Sequence, residues 1–173
     1  MKIVINGITK EHVEAAEAEL KAMGAEVGSQ LADISRLENV QALFDLAMEK
    51  FGRVDMLVNN AGVAVSGPIW EIPVQDIHWI TEVNLMSHLY GMHIFIPQMI
   101  RQGTEAVIVN TASTAGLMTS GNAIMYHTTK HADLAASESC YLALKQRGLE
   151  RIQVHCLVPA FVQTLIHKSD DRR

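Results

Sequence analysis

The sequence predicts an α/β fold in which a doubly wound parallel sheet carries helices on both faces. Strand and helix patterns alternate along the chain with short connections, which is typical of βαβ units. The run Ala106-Val107-Ile108-Val109 is wholly apolar, as expected for a parallel strand that is buried on both faces. A chain of 173 residues is long enough to bury roughly 70% of its unfolded surface. We therefore expect residues 1–173 to form a single domain.

The first part of the chain predicts three strands and two helices. Apolar or alternating patterns indicate strands over about 2–6, 26–32 and 54–58. The first helix is expected over about 10–23, with Thr9 as its cap and Gly24 at its end. The second helix is expected to begin at the capping box Ser35-Arg36-Leu37-Glu38 and to end at Gly52.

The second part of the chain predicts two long helices separated by a buried strand. The first long helix is expected over about 76–102, and the strand over 106–109. Residues 114–125 are rich in Gly, Ser, Thr and Met and predict a loop. The second long helix follows over about 126–146, and the last strand over 152–157.

The composition is that of an ordinary globular protein, with 49% hydrophobic and 19% charged residues. The net charge of −5 gives no reason to expect a nucleic acid or an anionic membrane as a partner. No apolar run approaches the ~18 residues that a membrane span needs, and the amino terminus lacks a signal-peptide pattern. Cys140 and Cys156 are expected to be buried free thiols. We therefore expect a cytoplasmic location.

A tyrosine and a lysine one helical turn apart form the strongest candidate for chemistry. Tyr126 and Lys130 are at i and i+4 on one helix face, with Ser113 thirteen residues before Tyr126. A nearby ammonium favours the ionised form of a phenol, whose unperturbed pKa is about 10. Tyr126 is therefore a candidate general acid/base. Taken alone, the pair is equally compatible with an ordinary contact on a surface helix.

Two further motifs accompany this pair. Asn59-Asn60-Ala61-Gly62 closes an apolar strand, and Asn84 lies in Val83-Asn84-Leu85. Together with Ser113, Tyr126 and Lys130, these motifs resemble the short-chain dehydrogenase/reductase family. The resemblance implies a Rossmann-like fold and an NAD(P)-dependent interconversion of an alcohol and a ketone. It assigns Tyr126 as the acid/base, Lys130 as its cationic neighbour and a ligand of the nicotinamide ribose, Ser113 as the anchor of the substrate oxygen, and Asn84 as the holder of a water.

The resemblance also implies cofactor contacts at the ends of several strands. Asp33 would bind the adenine amino group, Ile34 would pack on the ring, and Asn60-Ala61-Gly62 would pass beneath the cofactor. The run Pro159-Ala160-Phe161-Val162-Gln163-Thr164 resembles the family's Pro-Gly-x-Val-x-Thr run, with Ala160 in place of the usual glycine. In this run Val162 and Thr164 would meet the nicotinamide carboxamide. Simpler roles stay open, since Asp33 can open a helix and the Asn-Asn-Ala-Gly turn can simply end a strand.

The coenzyme is suggested by the residues after the first strand, Gly7-Ile8-Thr9-Lys10. An acidic residue there would favour NAD, and a basic one the phosphate of NADP. The segment has no acidic residue, and Lys10 can meet a phosphate, so NADP is weakly favoured over NAD. The alternative is that Lys10 is a solvated residue of the first helical turn.

Other side chains bear on metals and on the substrate. His127 and His131 share a helix face, but the glutamate of His-Glu-x-x-His is absent and no third ligand is evident, so we expect no metal. Most methionines are expected to fill gaps in the core. Four apolar residues are expected on loops near the catalytic end and suggest an apolar carbonyl substrate: Trp70, Leu117, Met118 and Met125.

The sequence also departs from the family pattern at both ends. No match exists to the glycine-rich TGxxxGxG turn that follows the family's first strand, and the pattern is cut short beyond Arg173. Without that strand, the family order 3-2-1-4-5-6 would close to 2-1-3-4-5, pairing strand 2–6 with strand 54–58.

Three interpretations follow from this truncated match. In the first, the chain is an NAD(P)-dependent enzyme of the family. In the second, it is a non-catalytic relative that folds, oligomerises and binds no dinucleotide tightly. In the third, it is a part of a longer chain. In the first two cases the family resemblance implies a homo-oligomer formed through the helices over about 76–102 and 126–146.

Overall fold

The structure is a computed structural model that describes residues 1–163 and residue 166. Within these residues five parallel strands and five α-helices follow one another along the chain, in agreement with the predicted α/β class. The strands are β1 (Lys2–Gly7), β2 (Glu26–Leu31), β3 (Met56–Asn59), β4 (Ala106–Thr111) and β5 (Ile152–Leu157). The helices are α1 (Lys10–Ala22), α2 (Leu37–Phe51), α3 (Val74–Thr81), α4 (Ser87–Gln102) and α5 (Ile124–Gln146).

The strands are parallel and form two hydrogen-bonded blocks. One block pairs β1 with β2, and the other has the order β3-β4-β5. Within the described residues β1 is not hydrogen-bonded to β3, so the predicted order 2-1-3-4-5 is wrong. The helix layer explains why the blocks still share one core, because α2 packs on both β1 and α4 while α4 packs on β3. Side-chain packing against these helices, and not backbone pairing, joins the two blocks.

The main core lies between the second block and the helices on one of its faces. Leu57, Ile108 and Ile152 come from β3, β4 and β5 and are buried with side chains of α2, α4 and α5. Phe44 and Phe95 meet edge to face, with their ring centroids 5.2 Å apart. Such ring pairs add to the stabilisation that comes from burying apolar area. The core therefore holds the second block against α4 and α5, which carry most of the candidate site.

The two blocks differ in how their faces are covered. Helix α1 packs on β1 and β2, and α2 packs on the same strands. In the second block the side chains that alternate with the core residues are open to solvent, with Met56 58%, Val58 53% and Leu157 53% exposed. Among the described residues, two helices therefore cover the first block, whereas the second block leaves part of one face open.

Glycine ends two of the helices as predicted, whereas the predicted amino-terminal caps do not form. Gly24 and Gly52 have φ values of 84° and 71°, a left-handed conformation that glycine adopts without a steric penalty. Thr9 precedes α1 but its side chain makes no capping hydrogen bond. The predicted box at Ser35 is also absent, because the Ser35 N–H donates to the Asp33 carboxylate at 2.9 Å. This turn starts two residues earlier and leaves α2 to begin at Leu37.

The two cysteines form no disulfide among the described residues. Cys140 and Cys156 are free, and both are half-buried instead of fully buried as predicted. Burial raises the pKa of the Cys140 thiol above its usual value, because desolvation disfavours the thiolate.

Within the described part of the chain, no helix has both the length and the hydropathy that crossing a bilayer requires.

Candidate active site

The predicted cofactor residues follow the carboxyl ends of the strands. In parallel sheets these ends lie at one edge, which is where α/β proteins bind their ligands. Asp33 and Ile34 follow β2, and the Asn60-Ala61-Gly62 turn follows β3. Pro159 and Val162 follow β5. Thr164 lies outside the described residues.

The two asparagines of the β3 turn point to different environments. Asn59 is buried and donates a hydrogen bond from Nδ2 to Asn110 Oδ1 at 2.8 Å. Asn110 in turn donates to Ser137 Oγ at 3.0 Å. These contacts tie β3 to β4 and α5, so Asn59 has a structural role. Asn60 is exposed at the strand end.

Asn84 lies on a break in the predicted helix over 76–102. The helix is divided into α3 and α4 by a π-helical turn over Glu82–Met86. π-turns are rare and often occur at functional sites, because the extra residue redirects the side chains. Asn84 is fully buried; its Oδ1 accepts from the Val63 N–H at 2.8 Å, and its Nδ2 donates to Val63 O at 2.9 Å. A further bond runs from Nδ2 to Thr129 Oγ1 at 3.2 Å. Asn84 therefore fixes the loop after β3 against α5.

Lys130 lies on helix α5 and faces the same loop after β3 that Asn84 contacts. It is 2% exposed and donates from Nζ to the Thr111 carbonyl at 2.7 Å and to Asp133 Oδ2 at 3.1 Å. A Cβ built on Gly62 would lie 3.7 Å from Lys130 Nζ and 3.8 Å from Asn84 Oδ1. The structure thus brings together Gly62, Asn84 and Lys130, which are far apart in the sequence.

Sequence reasoning missed Asp133, a buried partner of Lys130, and His88, a buried partner of Asp133. His88 Nδ1 lies 2.9 Å from Asp133 Oδ1, and His88 Nε2 lies 3.1 Å from the Ala61 carbonyl. His88 and Asp133 are only 2% and 1% exposed. The available signal was their spacing, since Asp133 is at i+3 from Lys130 and His88 is at i+4 from Asn84, each on the same helix face.

Tyr126 and Ser113 are the two hydroxyl-bearing candidates, and both are half-buried. The Tyr126 ring packs beside an apolar cluster that includes Ile80 and Met125. Among the described residues no hydrogen bond occupies the Tyr126 hydroxyl. Ser113 Oγ accepts a bond from the Ala115 N–H at 3.1 Å, and its own hydrogen stays free to donate. Both side chains are only half-buried, and the unpaired Tyr126 hydroxyl is not a buried atom, so a ligand can reach it.

The loop that carries Ser113 is held against α5 by His127. His127 Nδ1 lies 3.0 Å from the Ala115 carbonyl and 2.6 Å from the Met118 carbonyl, while Nε2 lies 3.0 Å from Ser120 Oγ. Both ring nitrogens are therefore occupied by the loop. In the described part of the chain, no group of three His, Cys, Asp or Glu side chains is arranged to hold a metal.

Gly116 sets the distance between this loop and α5. A Cβ at Gly116 would lie 2.7 Å from the Lys130 carbonyl oxygen, which is backbone and cannot move aside. We expect Gly116→Ala to lower the free energy of unfolding by about 1–3 kcal/mol, the usual cost of overpacking. Denaturant titration measures this loss.

Gly121→Ala is the matched control for this substitution. Gly121 is in the same loop, its φ is not positive, and an added Cβ meets nothing within 4 Å. Its free energy of unfolding is expected to stay within about 0.5 kcal/mol of the wild-type value. Equal stability of the two variants would contradict the importance of the close approach at Gly116.

The parallel strands and their packed helices define a Rossmann-like α/β protein, and the comparison with known families agrees. The profile of the family described as short chain dehydrogenase matches residues 1–173. The chain belongs to the short-chain dehydrogenase/reductase family.

Named relatives and solved structures support this assignment. The chain is 39% identical over 173 residues to a CLA biosynthesis dehydrogenase/reductase of Lactiplantibacillus plantarum, covering 100% of this chain and 60% of that protein. It is 32% identical over 164 residues to a 1-deoxy-11-beta-hydroxypentalenate dehydrogenase of Streptomyces exfoliatus, covering 94% and 58%. A short chain dehydrogenase/reductase from Burkholderia phymatum, solved in complex with NAD, superposes with a TM-score of 0.97 at 38% identity and covers 100% of this chain and 61% of that one.

A second solved structure, NAD+-bound xylitol dehydrogenase, superposes with a TM-score of 0.85 at 30% identity. That match covers 92% of this chain and 60% of the other. The chain therefore spans about 60% of the length of the relatives it matches.

Proposed function

We propose that this chain carries the catalytic residues of an NAD(P)-dependent oxidoreductase that interconverts an alcohol and a ketone. The observation that carries the proposal is the convergence of Lys130 and Asn84 on Gly62 at the carboxyl edge of the strands. The hydroxyl-bearing side chains of Tyr126 and Ser113 are half-buried. Tyr126 lies on α5, and Ser113 lies on the loop after β4 that packs against α5. The named relatives are dehydrogenases and reductases, which supports the reaction class.

In this reaction the protein has to transfer one proton to or from the substrate oxygen. A bound nicotinamide supplies or takes up the hydride. In the reductive direction Tyr126 donates its hydroxyl proton to the oxygen on which negative charge develops. Ser113 donates a hydrogen bond to the same oxygen and keeps it beside Tyr126. Lys130 is a buried cation one turn along α5, and it favours the phenolate that is left on Tyr126.

The cofactor would lie along the edge formed by the strand ends. Gly62 has no side chain, which leaves room above Lys130 Nζ for a ribose to approach. Asp33 is exposed and keeps one carboxylate oxygen outside its bond to Ser35, so it can accept from an adenine amino group. Ile34 is half-buried against the core, so only its exposed part would pack on the adenine ring. Pro159 and Val162 would border the nicotinamide.

The coenzyme and its binding test the proposal directly. Isothermal titration with NADH and NADPH is expected to show binding, with NADPH weakly preferred because Lys10 is available to a phosphate. Lys10 pairs with Glu14 at 3.7 Å, and both side chains are largely exposed. Since an exposed ion contact contributes little, Lys10→Ala is expected to weaken NADPH binding by about two- to fivefold and to leave NADH binding unchanged.

Two outcomes of this titration would contradict the proposal. No binding of either nucleotide at millimolar concentration would refute the enzyme function for this polypeptide and favour a folded, non-catalytic relative. A preference for NADH that Lys10→Ala does not alter would remove the assignment of NADP, and it would agree with the NAD-bound structures of the relatives.

An apolar carbonyl compound is the substrate class that the surface favours. Trp70, Leu117 and Met118 are 82%, 66% and 58% exposed, and Phe161 and Val162 are exposed after β5. Met125 was predicted to belong to this group, but it lies in the first turn of α5 and is buried. Apolar side chains exposed on the segments that follow β3, β4 and β5 favour a ligand with apolar surface.

Assembly and location complete the proposal. We place the protein in the cytoplasm as a homo-oligomer formed through the long helices α4 and α5. Tyr141 and Leu142 are 45% and 52% exposed on α5, and burial of these side chains against a second copy would be favourable. Light scattering of the purified chain measures the oligomeric state.

A further inference from the structure

His127 joins the turn after Ser113 to the start of α5. Its Nδ1 lies 3.0 Å from the Ala115 carbonyl oxygen and 2.6 Å from the Met118 carbonyl oxygen. A carbonyl oxygen can only accept, so Nδ1 carries a hydrogen and donates it to both oxygens. In the neutral ring, Nε2 then accepts from the Ser120 hydroxyl at 3.0 Å. A single buried imidazole therefore fixes this loop at several positions.

The Ala115 carbonyl needs a donor from outside its own turn. The turn closes through a bond from the Gly116 N–H to Ser113 O at 2.8 Å, which leaves Ala115 O to His127. Ala115 is only 8% exposed, so water has little access to replace that donor. Removing one partner of a buried hydrogen bond costs more than the bond itself contributes, because the other partner stays unsatisfied. Without His127, the turn is therefore expected to leave its position against α5.

The same turn fixes the hydroxyl of Ser113. The Ala115 N–H donates to Ser113 Oγ at 3.1 Å, while the Ala115 carbonyl accepts from His127. A displacement of Ala115 would therefore release or displace the Ser113 hydroxyl. Tyr126 directly precedes His127 in the first turn of α5. The imidazole thus connects the turn that holds Ser113 Oγ to the helical turn that carries Tyr126.

We propose that His127 is a positioning residue: by holding Ala115, it fixes the Ser113 hydroxyl relative to the start of α5, where Tyr126 lies. This inference deepens the proposed function and rests on it for the role of Ser113 at the substrate oxygen. Both ring nitrogens of His127 are bonded to the loop, so its effect on the reaction passes through Ser113. A misplacement of about 1 Å at a reacting group can lower a rate by about 10²-fold.

The first test measures hydrogen exchange of the Ala115 amide in the whole chain, without cofactor, substrate or turnover. This amide donates to Ser113 Oγ, so its protection reports whether the hydroxyl is held in place. His127→Leu removes both ring nitrogens and keeps an apolar side chain. We expect the Ala115 amide to exchange about tenfold faster in this variant, the effect of losing a hydrogen bond of ordinary strength. The amide of Ile108, which is fully buried in β4, is expected to keep its rate.

Two polar variants separate the bond to Ala115 from the bond to Ser120. The amide nitrogen of His127→Asn can take the place of Nδ1 and donate to Ala115 O, whereas the longer side chain of His127→Gln places its amide near Nε2. We expect His127→Asn to stay within about threefold of the wild-type Ala115 rate, and His127→Gln to exchange as fast as His127→Leu. Equal rates in the asparagine and glutamine variants, or an unchanged rate in His127→Leu, overturn the inference.

His131→Asn is the control on the same helix. His131 is exposed, and its Nδ1 donates to the His127 carbonyl of its own helix at 2.8 Å. Its replacement is expected to leave the Ala115 rate unchanged. If no His127 variant folds, the imidazole ¹⁵N spectrum of the wild-type chain decides the matter, since we expect a hydrogen on Nδ1. A wild-type ring with its hydrogen on Nε2 alone contradicts the proposal.

The second test is a double-mutant cycle with Ser113→Ala. His127→Leu alone is expected to lower kcat by about 10–10²-fold. In the Ser113→Ala background the same substitution should lower kcat by less than about twofold, because the group that it positions is absent. Additive losses overturn the inference, since a general structural defect would add to the loss of Ser113. A chain that binds no nucleotide would refute the proposed function and leave the exchange result at Ala115 intact.

Discussion

Replacing Tyr126 with phenylalanine is expected to lower kcat by about 10²–10⁴-fold, because the site loses the group that transfers a proton to the substrate oxygen. The ring remains, and with it the packing against Ile80 and Met125. Binding of the nucleotide should therefore change by less than about twofold, since the hydroxyl contributes mainly in the transition state. Initial rates followed by nicotinamide absorbance, with nucleotide binding measured separately, give both quantities.

Tyr141→Phe is the matched control for this experiment. Tyr141 is on the same helix, is 45% exposed, and is more than three turns away from Tyr126. Its kcat is expected to stay close to the wild-type value. If Tyr126→Phe kept more than about a tenth of the wild-type kcat, the loss would be below the range of general acid–base catalysis and the acid/base assignment would be wrong.

Replacing Asp133 with alanine is expected to lower the free energy of unfolding by about 3–5 kcal/mol, the range for removing one partner of a buried ion pair. Lys130 would lose its carboxylate partner at 3.1 Å, and His88 would lose its partner at 2.9 Å, while both stay buried. Asp133→Asn keeps hydrogen-bonding groups at the same positions, so its loss should be nearer 1–2 kcal/mol. Urea denaturation monitored by circular dichroism measures both variants.

Glu14→Ala gives the comparison with an ion pair on the surface. Lys10 and Glu14 are 3.7 Å apart at i and i+4 on α1, and their side chains are 68% and 65% exposed. Solvent screens such pairs, so the expected loss is below about 0.5 kcal/mol. A loss of free energy of unfolding for Asp133→Ala as small as that for Glu14→Ala would show that the Asp133 carboxylate does not stabilise the buried side chains of Lys130 and His88.

Local sequence patterns predicted the regular elements well, because such patterns report short-range periodicity and turn chemistry. All five strands and the helices α1, α2 and α5 lie close to the predicted ranges. Gly52 ends α2 with a positive φ, as its position after the apolar pattern indicated. The predicted caps failed where another contact replaced the expected one. Ser35 was expected to cap α2, but its N–H is bonded to the Asp33 carboxylate, and α2 begins at Leu37 without a side-chain cap.

The candidate site was predicted in part from the family motifs. Asn84 and Lys130, which were selected as candidates, both lie close to Gly62, and their roles remain a proposal. The π-turn at Asn84 was not predictable from periodicity, because one extra residue in a helix leaves the apolar pattern nearly unchanged. His88 and Asp133 were missed because a histidine and an aspartate on helices are usually solvated.

The sequence by itself determined the order of strands and helices and the membership of the short-chain dehydrogenase/reductase family, and it supplied the candidate residues for proton transfer. These properties depend on neighbours within a few positions or on motifs that can be read along the chain. Only the tertiary structure decided that β1 does not pair with β3, and that Lys130, Asp133 and His88 form one buried cluster. Strand pairing and the burial of charge depend on which helices pack between distant segments, and that is set by the three-dimensional core and by no local pattern.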